Sequence, residues 1–165
     1  MTWLPENYEK PVASGGNYMR LTDGANKFRV LSAPILGYEY WTDENKPVRL
    51  KEMPEEAPED IRADSKLKHF WAFVVWNYRE KRVQILELTQ VSIQGPITDL
   101  VSSEDWGDPQ QYDLTITKKG QKLDTEYTVQ PSPHKETPIE ALQALEDAHV
   151  DLQALFRGQD PFGIV

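Results

Sequence analysis

The sequence predicts a mainly β domain, a small antiparallel barrel or sandwich with a short helix and a C-terminal helix. Three observations carry that expectation. Residues 112–129 alternate apolar and polar side chains on either side of KKGQ, which marks a hairpin with one buried and one wet face. The runs HFWAFVVWNY and RVQILELTQVSI are long and rich in β-branched and aromatic residues. From Thr137 onward the apolar period changes from that of a strand to that of a helix.

In chain order, residues 1–16 end in ASGG and read as a flexible leader. Residues 17–157 read as one domain that includes the C-terminal helix, and 158–165 as a short tail. YMRL, NKFRVLSAPI and GYEYW are short strands bounded by Gly, Asp or Pro. DENKPVRLKEMPEEAPED, rich in Pro and charge, reads as an exposed loop. REKR joins the two long apolar runs as a four-residue hairpin loop. PITDLVSSED, residues 96–105, reads as a short helix opened by its proline. TPIE, residues 137–140, has the form of a capping box with Thr137 as N-cap. Ile139, Leu142, Leu145, His149, Leu152 and Phe156 then share a helical face, and Gly158 is a natural stop.

Composition narrows the function. The chain has no cysteine and three histidines at no metal-binding spacing, which argues against a structural zinc site and against disulfides. It shows no nucleotide-binding or hydrolase fingerprint, no apolar run long enough to span a membrane and no secretory signal, so the expectation is a cytoplasmic protein without a cofactor. The net charge of −9 is concentrated in two segments. Residues 52–64 and 136–165 each carry six acids and one base, leaving a nearly neutral body on which an anion-binding face is possible.

That body gathers aromatics beside cations. Phe70, Trp71, Phe73, Trp76 and Tyr78 precede Arg79, Lys81 and Arg82, and Tyr38, Tyr40 and Trp41 precede Lys46, Arg49 and Lys51. KKGQK at 118–122 adds a basic hairpin tip. The plain reading of the first group is a core strand, apolar on both sides because the C-terminal helix covers one. The other reading is an open aromatic face, on which bases of a single strand stack at about 1–3 kcal/mol each while Lys and Arg neutralise phosphates.

The run YMRLTDGANKFRVLSAPILGYEYW resembles the opening of a family of phage single-stranded DNA-binding proteins. KHFWAFVVWNY, VQILELTQVSIQGPITDL, WGDPQQYDLTITKKG and DTEYTVQP resemble its middle and end, so the resemblance spans roughly residues 17–133. It implies an OB-like barrel that binds and protects single-stranded DNA during phage replication or recombination, without catalysis. It further implies DNA contacts at Arg29, Tyr40, Trp41, Arg49, Lys51, Lys66, Lys68, Trp71 and Arg82, with Tyr40, Trp41 and Trp71 as the stacking rings. The acidic C-terminal segment would recruit phage or host replication proteins. The chain departs from the family in having no zinc module, no basic N-terminal arm and no long acidic tail.

Three other readings compete. Aromatic platforms beside acids also stack sugars, in a carbohydrate-binding module. An aromatic face also suits a protein-binding adaptor. The carboxylates Glu104, Asp105, Asp108 and Asp113 could serve an enzyme as acid and base, although such residues more commonly cap helices and fill turns.

Overall fold

One long apolar strand organises the domain. The computed structural model describes Trp3 and residues 16–162, so the expected leader, apart from Trp3 and Gly16, and the last three residues of the tail lie outside the described residues. Strand β4 (Lys68–Asn77) is the HFWAFVVWN run, and it is bonded on both edges. One edge pairs with β5 (Arg82–Leu88) from Trp71 to Asn77. The other takes two strands end to end, β1 (Gly24–Val30) opposite Val75–Asn77 and β2 (Ile35–Trp41) opposite Lys68–Ala72.

β1 and β2 are thus one path interrupted at Leu31–Pro34, where Pro34 has no N–H to offer a ladder. The break stays bonded because Leu31 N–H donates to Val74 O, and Val74 N–H donates to the Ser32 hydroxyl at 2.9 Å. β6 (Asp113–Lys119) pairs with β1, and β7 (Glu126–Pro131) with β6. β3 (Pro47–Leu50) pairs with β2 inside the segment expected to be a loop, which is a correction. Together they make one antiparallel sheet of seven strands. The sheet is not closed: no ladder among the described residues joins β5 to β7.

Helices cover both faces of this sheet. On one, Phe28, Val30, Phe73, Val75, Leu88 and Leu114 pack against Ile93 and Ile97 of α1 (Val91–Ser102). On the other, Val74, Trp76 and Val83 pack against α2 (Ile139–Ala148), while Phe70, Ala72 and Ile85 meet Leu155 and Phe156 of the 3₁₀ segment Leu152–Arg157. The FWAFVVW run is therefore apolar on both faces because both are core. Burying each such side chain contributes about 1.5–3 kcal/mol, enough to override weak local signals. No helix among the described residues is long and apolar enough to cross a membrane.

Four local expectations change. α1 begins five residues before Pro96, which lies inside it, because burial of Ile93 and Ile97 holds a helix that propensity alone disfavours. Pro138 caps α2 and Thr137 forms no capping box, because the Thr137 hydroxyl accepts from Arg29 Nη1 at 3.0 Å. α2 packs through Ala141, Ala144, Leu145 and Ala148 and ends where His149 turns left-handed, leaving Ile139 84% exposed. The turn between β4 and β5 is Tyr78–Lys81, one residue before the expected REKR.

Candidate functional site

The nine candidate residues separate into three groups. Arg29, Tyr40 and Arg49 are turned inward. Arg29 is fully buried, its Nε donating to Asp113 Oδ1 at 2.8 Å and its Nη1 to Gln110 O and the Thr137 hydroxyl. Tyr40 is 6% exposed and donates to Asp60 Oδ1 at 2.8 Å. Arg49 Nη2 donates to Glu87 Oε2 at 2.7 Å, and its Nε lies 3.7 Å from Glu39 Oε2. Arg29 and Tyr40 are engaged inside the fold, Arg49 is paired with Glu87 and lines a separate cleft with Tyr18 and Asp160, and none of the three joins the other candidates at one site.

The second group is dispersed. Lys51 is exposed, with Nζ 5.5 Å from the Phe156 ring centroid. Arg82 is half-buried opposite Asn77, at the end of β4 remote from Lys68 and about 30 Å from it along the strand. Trp71 is half-buried in register with Leu36. It lines an apolar groove of about 520 Å³ with Ala33, Pro34, Leu36, Ile97 and Val101. Strand alternation sets Leu36 and Trp41 on opposite sides of β2, so Trp71 and Trp41 serve opposite faces and form no common platform.

The third group converges. Trp41, Lys66 and Lys68 line one shallow cleft of about 260 Å³ together with Glu39, Arg62, Asp64 and Ser65. Two backbone clamps build it. Trp41 N–H donates to Ser65 Oγ at 2.9 Å, and Arg62 N–H donates to Trp41 O at 2.8 Å, strapping the 61–66 loop along the end of β2. Trp41 is 41% exposed, and Lys66 and Lys68 are exposed. Arg62 was not among the expected contacts. It pairs with Asp64 and bonds Asn45, which orients its guanidinium in the cleft. The sequence signal for it was its spacing, four and six residues ahead of the two lysines, hidden by the acids around it.

Glu39 sets the charge of this cleft. It lies opposite Lys68 on β4 and Arg49 on β3, and it shares a hydrogen bond with Glu87. Burial, then that bond and the Glu87 charge, push its pKa up to about 8, against the pull of Arg49 and Lys68. With its pKa raised in this way, Glu39 opposes Arg62, Lys66 and Lys68 less at neutral pH than a free carboxylate would.

The acids weighed for catalysis do not form one site. Asp113 is buried against Arg29, and Asp108 accepts from Gln110 N–H as the N-cap of the 3₁₀ turn Pro109–Gln111. Glu104 and Asp105 are exposed in the turn after α1. The acidic C-terminal segment is folded onto the sheet, with Ala154 and Leu155 buried and Phe162 bridged to Val150. In comparisons with known proteins, no family model, no curated protein and no solved structure matches this chain.

Proposed function

We propose that the chain binds single-stranded DNA without strong sequence preference and acts by capture, as a protein of the phage single-stranded DNA-binding kind whose open sheet is a variant of an OB-like barrel. One observation carries the reading: an exposed indole lies in a single cleft with three cations, in a chain whose net charge is −9. A base stacks on Trp41, and successive phosphates pair with Lys66, Lys68 and Arg62. Its role would be to coat and protect single strands in phage replication or recombination. The exposed acids of α2 would meet partner proteins.

Titration of oligo(dT) over a range of salt concentrations tests this. Each neutralised phosphate contributes about 0.7 to the slope of log K against log salt for single strands, so Lys66→Gln/Lys68→Gln should flatten the slope by about 1.4. An unchanged slope in the folded double variant contradicts the proposal. A protein-binding reading draws on a different feature, the apolar groove at Trp71, where Leu36 and Val101 are 52% and 48% exposed. Failure of the folded chain to bind any oligonucleotide at low salt would shift weight to it.

A further inference from the structure

A second cluster of cations lies at the opposite end of the β1–β2 path from the Trp41 cleft. Its floor is the buried Asp113 carboxylate at the start of β6, which takes hydrogen bonds from Arg29 Nε at 2.8 Å and Tyr78 Oη at 2.7 Å. Two lysines from different parts of the chain reach the same carboxylate. Lys27 Nζ, from β1, is 3.7 Å from Asp113 Oδ2, and Lys135 Nζ, from the segment after β7, is 3.2 Å from it. Both ammonium groups also lie over the Tyr78 ring, 5.0 and 5.9 Å from its centroid.

The charges do not balance. Three cations surround one carboxylate, and the cations differ in access: the Arg29 side chain is 0% exposed, whereas those of Lys27 and Lys135 are 46% and 52% exposed. Arg29 alone is sufficient to compensate Asp113. The two lysines therefore present excess positive charge at the surface, which the neighbouring exposed Glu136 only partly offsets. Because both reach one oxygen, the two ammonium nitrogens are no more than about 7 Å apart. Charge-assisted hydrogen bonds of about 2.8 Å to two oxygens of one phosphate group span that distance. The Arg29–Asp113 pair beneath them is close to neutral as a unit, so the two lysines supply the charge that faces a phosphate.

We propose that Lys27 and Lys135, set over the buried Arg29–Asp113 pair, form a phosphate-binding site separate from the Trp41 cleft. Its ligand is a phosphate group, either on a nucleic-acid backbone or on a small phosphorylated molecule. Binding shifts the lysines from Asp113 toward the ligand, while Arg29 and Tyr78 keep the carboxylate bonded.

The test is titration of the full chain with tripolyphosphate at low salt, followed by amide chemical shifts. The proposal predicts saturable shifts at Lys27, Tyr78 and Lys135. It predicts their loss, with at least tenfold weaker binding at this site, in Lys27→Gln/Lys135→Gln, and their retention in Lys27→Arg/Lys135→Arg. Absence of shifts at these residues in the native chain overturns it. So does a folded Gln variant that melts lower yet keeps the same local shifts, because the lysines then serve Asp113 alone. An oligo(dT) arm separates the sources. A salt slope smaller by about 1.4 in the Gln variant assigns the site to a strand. An unchanged slope with tripolyphosphate shifts lost assigns it to a small phosphorylated ligand. Tripolyphosphate binding in a chain that binds no oligo(dT) removes the DNA reading and leaves this site standing.

Discussion

Replacing Arg29 with methionine separates a structural cation from a ligand-binding one. Arg29 and Asp113 are each fully buried, and their contact is 2.8 Å. Removing one member of such a pair leaves a carboxylate away from water and costs about 3–5 kcal/mol. Tyr78, Lys27 and Lys135 still face Asp113, so the cost should fall near the lower figure, about 3 kcal/mol. For a chain of this length each kcal/mol lowers Tm by about 2–4 °C, which gives a fall of about 6–12 °C. Urea denaturation followed by tryptophan emission and by circular dichroism measures it. Arg29→Met/Asp113→Leu should recover part of the loss, because the stranded charge is removed as well. Folded Arg29→Met should keep the quenching at Trp41 on oligo(dT) addition, because Arg29 lies outside that cleft. A cost below about 1 kcal/mol, or loss of that quenching at unchanged stability, would refute the reasoning.

Other expectations follow from the same geometry. Burial opposes the Asp113 charge, but bonds from Tyr78, Arg29 and Lys135 outweigh it and hold its pKa below the ordinary 3.8. Its stabilising contribution is complete above that value and is lost as pH falls below it, so acid melts should show a decline that Asp113→Asn lacks. Glu39 has the opposite sign: with a pKa of about 8 against an ordinary 4.5, the folded chain holds a proton that the unfolded chain has lost, and stability falls as pH rises between the two. Glu39→Gln should flatten that slope in thermal melts and should remove a weakening of oligo(dT) binding near pH 8. Gly37→Ala should cost about 1–3 kcal/mol in urea titration, because a Cβ there runs into the Leu50 carbonyl and meets the Phe70 and Phe156 rings at 3.0 Å.

The parts of the fold written in local pattern were legible in the sequence. The 112–129 hairpin alternates cleanly, and the β4 and β5 runs are long and apolar, so their strands fall close to where periodicity sets them. Pro96 marks a helix start by local signal, and only tertiary burial of Ile93 and Ile97 shows why α1 begins at Val91. The site was harder for one recurring reason. Arg29 meets Asp113 84 residues away, Tyr40 meets Asp60 20 away and Arg49 meets Glu87 38 away, and no local pattern distinguishes a cation or phenol bound to a distant acid from one open to solvent. Trp41, Lys66 and Lys68 are legible as candidates from charge and aromaticity in the stretches that carry the family resemblance. Their assembly depends on the 61–66 strap, which follows the expected 43–60 loop and carries no local signal of its own.

The central claim is that the Trp41 cleft holds a single strand by stacking and phosphate neutralisation. The most direct measurement is tryptophan fluorescence during oligo(dT) titration of the native chain, Trp41→Ala and Trp71→Ala at low and high salt. The account predicts saturable quenching that salt weakens steeply and that persists in Trp71→Ala. In Trp41→Ala the quenching should vanish and affinity, followed by an independent label on the oligonucleotide, should fall by about 1–3 kcal/mol. Undiminished quenching and affinity in Trp41→Ala, or no binding by the folded native chain at low salt, would contradict it.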